Sequence, residues 1–289
     1  MPERDGYIPG VPCWIDTSQP DPEAAVAFYG GLFGWEFEDV MPQGSDGRYY
    51  IGRIRGGDVA AISSATQDSP AVWNTYIWVE NADETASKVT EAGGNVMMAP
   101  FDVMEAGRMA VLADPEGAAF CVWQAGRHRG ARIVNEAGSL NFNQLATRDP
   151  EGAQRFYGAV FGWKILGLED GAGMWTLPGY GDYLERDRPG LREEMAAMGA
   201  PPGFEDVVAS IVPLTGQEPA HWSLTFGVDD ADATAARAAE LGGQVVVAPF
   251  DAPWVRMTVI ADPHGATFTA SKFVPENKDL AAPAAAATG

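Results

Sequence analysis

Apolar and polar positions alternate from Val11 to Thr17, which predicts a strand; Asp21-Pro22-Glu23 follows, with a capping residue and a proline suited to the first helical position. Ala24, Ala25, Phe28, Tyr29, Leu32 and Phe33 then recur at helical spacing until Gly34. Shorter runs at Trp35 to Val40, Tyr49 to Arg55 and Val59 to Ser63 predict three strands between Gly-rich turns. A second unit repeats the order. Thr75 to Glu80 is a strand, Ala82 to Glu91 a helix ended by Gly93-Gly94, and strands follow at Val96 to Ala99, Arg108 to Ala113 and Ala119 to Gln124. One helix followed by three consecutive strands does not wind into a doubly wound parallel sheet. The pattern predicts an α+β fold: mixed sheets with helices outside and a concave inner face.

The words of this pattern occur twice. Asp21-Pro22-Glu23, Phe28-Tyr29-Gly30 and Phe33-Gly34-Trp35 return 128 residues later as Asp149-Pro150-Glu151, Phe156-Tyr157-Gly158 and Phe161-Gly162-Trp163. Gly93-Gly94 and Ala99-Pro100-Phe101-Asp102 return as Gly242-Gly243 and Ala248-Pro249-Phe250-Asp251. Arg108-Met109 and Ala113-Asp114-Pro115-Glu116-Gly117 return as Arg256-Met257 and Ala261-Asp262-Pro263-His264-Gly265. Two homologous domains are expected, at residues 1–133 (core 10–125) and 134–275 (core 138–272). The second carries an insertion near 183–217, expected as a helical lid, a dimer arm or a plain surface loop. A disordered tail is expected over 276–289.

Charge narrows the function classes. Forty acidic residues against 19 basic ones give a net charge of -21, which disfavours nucleic acid and anionic membranes as partners. Cys13 and Cys121 make no disulfide framework, no apolar run spans a membrane, and no signal peptide is evident, so the expectation is cytoplasmic. Phosphate loops, dinucleotide fingerprints and Ser-His-Asp arrangements are missing.

The repeated words resemble the vicinal oxygen chelate superfamily of glyoxalases, bleomycin-resistance proteins and extradiol dioxygenases, in its two-domain actinobacterial glyoxalase-like type. The resemblance implies tandem glyoxalase-like domains, each of paired βαβββ modules curling into a ligand-holding cup. It also implies that metal-dependent members draw one ligand from the fourth strand, too weakly patterned here to align, and the others from the first, fifth and eighth strands. Those positions correspond here to Trp14, Asn74 and Cys121, and to Phe142, Ser223 and Thr269. None is His, Asp or Glu, so no metal and no cofactor is expected.

Period-two alternation places Trp14, Asn74, Tyr76, Trp78, Cys121 and Trp123 on the first concave face, and Phe142, Gln144, His221, Ser223 and Thr269 on the second. These are the expected ligand-binding residues. Trp73, Trp78, Trp123 and Trp222 could equally fill collapsed cups. Catalytic residues are not identifiable; His221 is the weak candidate, while His128 in the linker and His264 in a turn are expected to be exposed. Arg108 and Arg256, at one repeat position, suggest a structural ion pair.

The function expected is a metal-independent binding protein of the bleomycin-resistance type. It would hold a planar aromatic, polyketide-like natural product, with or without an amine, for resistance or as an accessory to biosynthesis. The alternative is a metal-independent enzyme (hydroxylase, isomerase or lyase) using His221, Tyr76 or Cys121. A monomer or homodimer, and a protein partner in a biosynthetic pathway, are both compatible with the chain.

Overall fold

The computed structural model describes residues 3–65, 69–169 and 172–280. Each half of the chain forms one eight-stranded mixed sheet. In the first half β1 (Pro12–Gln19), α1 (Pro22–Phe33), β2 (Glu36–Asp39), β3 (Tyr49–Ile54) and β4 (Gly57–Ser64) make one βαβββ module. The module of β5 (Val72–Trp78), α2 (Ala82–Glu91), β6 (Asn95–Val103), β7 (Gly107–Ala113) and β8 (Ala119–Ala125) completes the sheet, in the order β2-β3-β4-β1-β5-β8-β7-β6. The modules meet where β1 runs antiparallel to β5, with Asp16 opposite Asn74.

The second half repeats this with β9 (Leu140–Thr147), α3 (Pro150–Phe161), β10 (Lys164–Glu169), β11 (Ala172–Thr176) and β12 (Val207–Pro213). Then come β13 (His221–Gly227), α6 (Ala231–Glu240), β14 (Gln244–Ala252), β15 (Val255–Ala261) and β16 (Thr267–Phe273). Between β11 and β12 lie α4 (Tyr180–Asp187), α5 (Leu191–Ala197) and a 3-10 turn (Phe204–Asp206). The insertion therefore sits at 177–206, not 183–217: the apolar run from Val207 that follows it is the fourth strand of its module. Residues 276–280, expected in the tail, continue a 3-10 turn in which Asn277 donates to Asp251 at 3.1 Å, while 281–289 lie outside the described residues.

The helix signals act locally as expected. Asp21 and Asp149 accept from the backbone N–H of Ala24 and Gly152, proline follows each, and Gly34 and Gly162 end the helices in the left-handed conformation. Arg108 bridges Asp83 and Asp102 at 2.7 and 2.9 Å, and Arg256 bridges Asp232 and Asp251 at 2.6 and 3.2 Å, tying a helix start to a hairpin in each half.

The repeated words meet one another across the two halves. The phenol of Tyr29 on α1 donates to Asp262 at 2.9 Å, and that of Tyr157 on α3 donates to Asp114 at 3.1 Å. Each aspartate also accepts two backbone N–H groups of its own Asp-Pro-x-Gly turn. Trp73 and Trp222 donate to those same phenols at 3.1 and 2.9 Å, so they belong to this interface and fill neither cup. Trp35 donates to the carbonyl of Gly138 and Trp163 to that of Gly10. The second glycine of each Gly-Gly pair has no room for a side chain: a Cβ on Gly94 would stand 2.8 Å from Phe156, and one on Gly243 2.8 Å from Phe28. Helix α1 packs on α6 and α2 on α3, while Thr75 on β5 donates to Asn143 on β9 at 2.8 Å. The sheets thus meet through the faces opposite their cups, and the two concave faces look away from each other.

Candidate functional site

The first concave face is filled by its own side chains. Trp14, Asn74, Tyr76, Trp78, Cys121 and Trp123 do converge there, but Trp14, Tyr76 and Cys121 are each at most 6% exposed. At the centre lies Asp16, two residues along β1 from Trp14 and 3% exposed. It accepts from Tyr76 at 2.7 Å, Asn74 at 2.8 Å and Tyr49 at 3.1 Å, and Tyr49 in turn accepts from the Trp14 indole at 3.0 Å. Burial pushes the carboxyl above its usual range, and the three hydrogen bonds pull it back in part. Asp16 and Tyr49 were not singled out from sequence. Asp16 shares the phase of Trp14 and so was readable; Tyr49 enters from a strand whose pairing the sequence does not specify.

His128 closes this cup. Its ring lies edge-on to Trp14 at 4.3 Å and to Trp123 at 5.8 Å, and its Nδ1 is 3.9 Å from Asp58. The expected exposed linker histidine is thus mostly buried, because the chain after β8 turns back over the sheet. Burial lowers its pKa and Asp58 opposes the shift. The Cys121 thiol is pushed up, first by burial and then by Asp16, which leaves it protonated at neutral pH.

The second concave face is open. Phe142, Gln144, His221, Ser223 and Thr269 are all partly exposed, and the strand register sets Ser223 beside Gln144 and Thr225 between Phe142 and Thr269. His221 has its Nδ1 2.9 Å from the carbonyl of Pro219. Tyr76 and Cys121 belong to the other sheet, so the three residues considered for acid–base chemistry are not brought together. His264 is exposed in its turn, as expected.

The donor sets do not suit a metal ion. Trp14, Asn74 and Cys121 in one cup, and Phe142, Ser223 and Thr269 in the other, offer one thiol and neutral oxygen or amide groups. Asp16, the carboxylate at the centre of the first cup, already accepts three hydrogen bonds. Among the described residues no cluster of three or more His, Cys, Asp or Glu is placed to hold a metal.

A cavity of about 720 Å³ lies at the end of the second cup. Phe142 and Val208, at the starts of β9 and β12, contribute to it from the sheet. The insertion covers it with Tyr180, Tyr183 and Leu184 of α4, Leu191 and Met195 of α5, and Phe204. The N-terminal segment closes the third side with Arg4 and Tyr7, held by Arg4 to the Tyr180 phenol at 2.7 Å and by the Tyr183 phenol to the carbonyl of Gly6 at 3.3 Å. Of the residues expected from sequence, Phe142 alone lines it. The others were missed because the wall comes from three segments distant in the chain. The insertion is thus a cover over one end of the cup.

Residues 14–122 match the family described as Glyoxalase/Bleomycin resistance protein/Dioxygenase superfamily, and residues 142–271 match a Glyoxalase-like domain. The chain is 41% identical over 281 residues to "Putative glyoxylase CFP32" of Mycobacterium tuberculosis, covering 96% of this chain and 100% of that one. It is 36% identical to the anthracycline biosynthesis protein DauV of Streptomyces sp. (strain C5), covering 91% of this chain and 93% of that one. The likeness to the Mn(II)-bound glyoxalase of Novosphingobium aromaticivorans is one of fold: 14% identity, TM-score 0.60, covering 92% of this chain and 83% of that one. The 2,3-dioxygenase LapB of Pseudomonas sp. KL28 shares the fold at TM-score 0.59 and 11% identity, covering 92% and 93%.

Proposed function

Because the chain belongs to the glyoxalase/bleomycin resistance/dioxygenase superfamily, we propose that it is a metal-independent small-molecule binding protein. It takes a planar, aromatic, polyketide-like product into the cavity at the end of its second sheet, either to sequester it or to serve its biosynthesis. The observation that carries this reading is the contrast between the halves. One cup is packed shut by Trp14, Tyr76, Trp123 and His128, whereas the other is open and ends, at Phe142 and Val208, on a cavity of about 720 Å³ lined by apolar and aromatic side chains with acidic and amide groups among them. Concave, mostly apolar cavities of this size are the usual form of a small-molecule site. The relatives named for anthracycline biosynthesis support a fused-ring ligand. Among the described residues no acid–base pair and no charged donor set converge on either cup, which supports binding without turnover and without a metal.

The test is a calorimetric titration with a tricyclic quinone, 2-(hydroxymethyl)anthraquinone, followed by chromatography of the recovered ligand. One equivalent should bind and return unchanged. Val208→Trp should block the cavity and reduce affinity by about tenfold or more, while Trp14→Ala should lower stability and leave affinity nearly untouched. A converted quinone, a stoichiometric divalent metal in the native mass spectrum, or full binding by Val208→Trp would overturn the reading.

A further inference from the structure

We infer that Arg4 selects the ligand of this cavity, and that the ligand presents an anionic pair of oxygens, of carboxylate type, to the Arg4 guanidinium. The inference rests on the cavity being the ligand site. A guanidinium stays charged at any ordinary pH and offers five N–H donors in a planar fork. Arg4 uses one of its side-chain donors, in the bond from its Nη1 to the Tyr180 phenol at 2.7 Å. Its guanidinium carbon lies 5.1 Å from the centre of the Tyr7 ring and 5.9 Å from that of Tyr180. Two aromatic faces therefore hold the fork in place, and their own hydroxyls do not supply the missing charge: Tyr7 donates to the carbonyl of Ala131 at 2.7 Å.

No carboxylate pairs with Arg4 among the described residues, in a chain that has 40 acidic residues for 19 basic ones. Asp5 and Asp187 also line this cavity but make no ion pair with Arg4, and the other three carboxylates along it have partners elsewhere. Glu3 pairs with Arg132 at 2.5 Å, Glu194 with Arg188, and Glu205 with Arg192 at 3.4 Å. Arg4 is half-buried, and a charge partly withdrawn from water without a counter-charge carries a cost that the folded protein retains at a cavity wall. A ligand carboxylate would recover it through a two-pronged, charge-assisted contact of the kind arginine makes best. The apolar wall of Leu184, Leu191, Met195 and Val208 would take the rings of the same molecule. An amine, suggested by the overall acidity, would meet like charge at the Arg4 guanidinium and opposite charge only away from it, at Asp5 and Asp187.

Three probes of one shape separate these possibilities: anthraquinone-2-carboxylate, 2-(hydroxymethyl)anthraquinone and 2-(aminomethyl)anthraquinone, titrated calorimetrically. The carboxylate should bind the native protein about tenfold or more tighter than the alcohol, and the amine most weakly. Arg4→Gln should abolish the preference for the carboxylate over the alcohol, and Arg4→Lys should retain only part of it. Circular dichroism checks that both variants are folded, and the order of the three probes on the native protein needs no variant. Equal affinities for carboxylate and alcohol, or tightest binding of the amine, would overturn the role of Arg4 and leave the cavity as the ligand site. Binding of none of the three would overturn both.

Discussion

Asp16 illustrates how one buried side chain can be satisfied and still carry a cost. Three neutral donors, Tyr49, Asn74 and Tyr76, surround it, and burial holds its pKa above the unfolded value. For a carboxyl raised in this way the native state binds the proton more tightly than the unfolded chain does. The resulting stabilisation is full at low pH, below the unfolded pKa, and is lost as pH rises through the folded one. Asp16→Asn removes that titration. Wild-type stability relative to Asp16→Asn should therefore fall as pH rises above the unfolded carboxyl value of about 4. Urea midpoints of both proteins across that range measure it; a difference that grows in favour of the wild type with rising pH would contradict the assignment.

At the scale of elements, the insertion distinguishes the two halves. The first sheet joins β3 to β4 through Arg55 and Gly56 alone, whereas the second spends 177–206 on α4, α5 and a 3-10 turn between the matching strands. Those helices complete the cavity but add no strand to the sheet. Replacing 177–206 by an Arg-Gly turn should thus leave the strand signal of the circular dichroism spectrum in place. It should weaken the binding of 2-(hydroxymethyl)anthraquinone by about tenfold or more, because one wall of the site is gone. Undiminished affinity would move the site elsewhere in the cup.

Across the whole molecule the halves are joined by reciprocal contacts. Tyr29 and Asp262 on one side match Tyr157 and Asp114 on the other, each pair buried and each phenol also accepting from a tryptophan. Neither half can expose this surface without uncovering Phe28, Phe156, Trp35 and Trp163. The protein should accordingly unfold in one calorimetric transition, without a separate melting of either half. Tyr29→Phe and Tyr157→Phe each remove a phenol that two buried groups depend on, and each should cost about 1–3 kcal/mol. Similar losses from the two variants would reflect the pseudo-twofold arrangement; two resolved transitions would show the halves to be independent.

Much of this architecture was readable in one dimension. The periods, caps and turns of the chain carry the βαβββ order, because helix starts, glycine ends and strand alternation are local properties. The repetition of Phe28-Tyr29, Trp35, Gly93-Gly94 and Asp114-Pro115 revealed the duplication and the family resemblance, and strand phase placed Trp14, Tyr76, Phe142 and Ser223 on concave faces. What those repeated words do, namely hold the halves together, required the fold, since their partners lie in the other half. Which cup is open also required it. The first closes because Tyr49 and His128 arrive from distant points to fill it, and side-chain volume is summed in space and not along the chain. The cavity has the same character: Arg4, Phe142, Tyr180 and Val208 share no local pattern, and only tertiary packing brings a charge, a ring, a cover and a floor to one place.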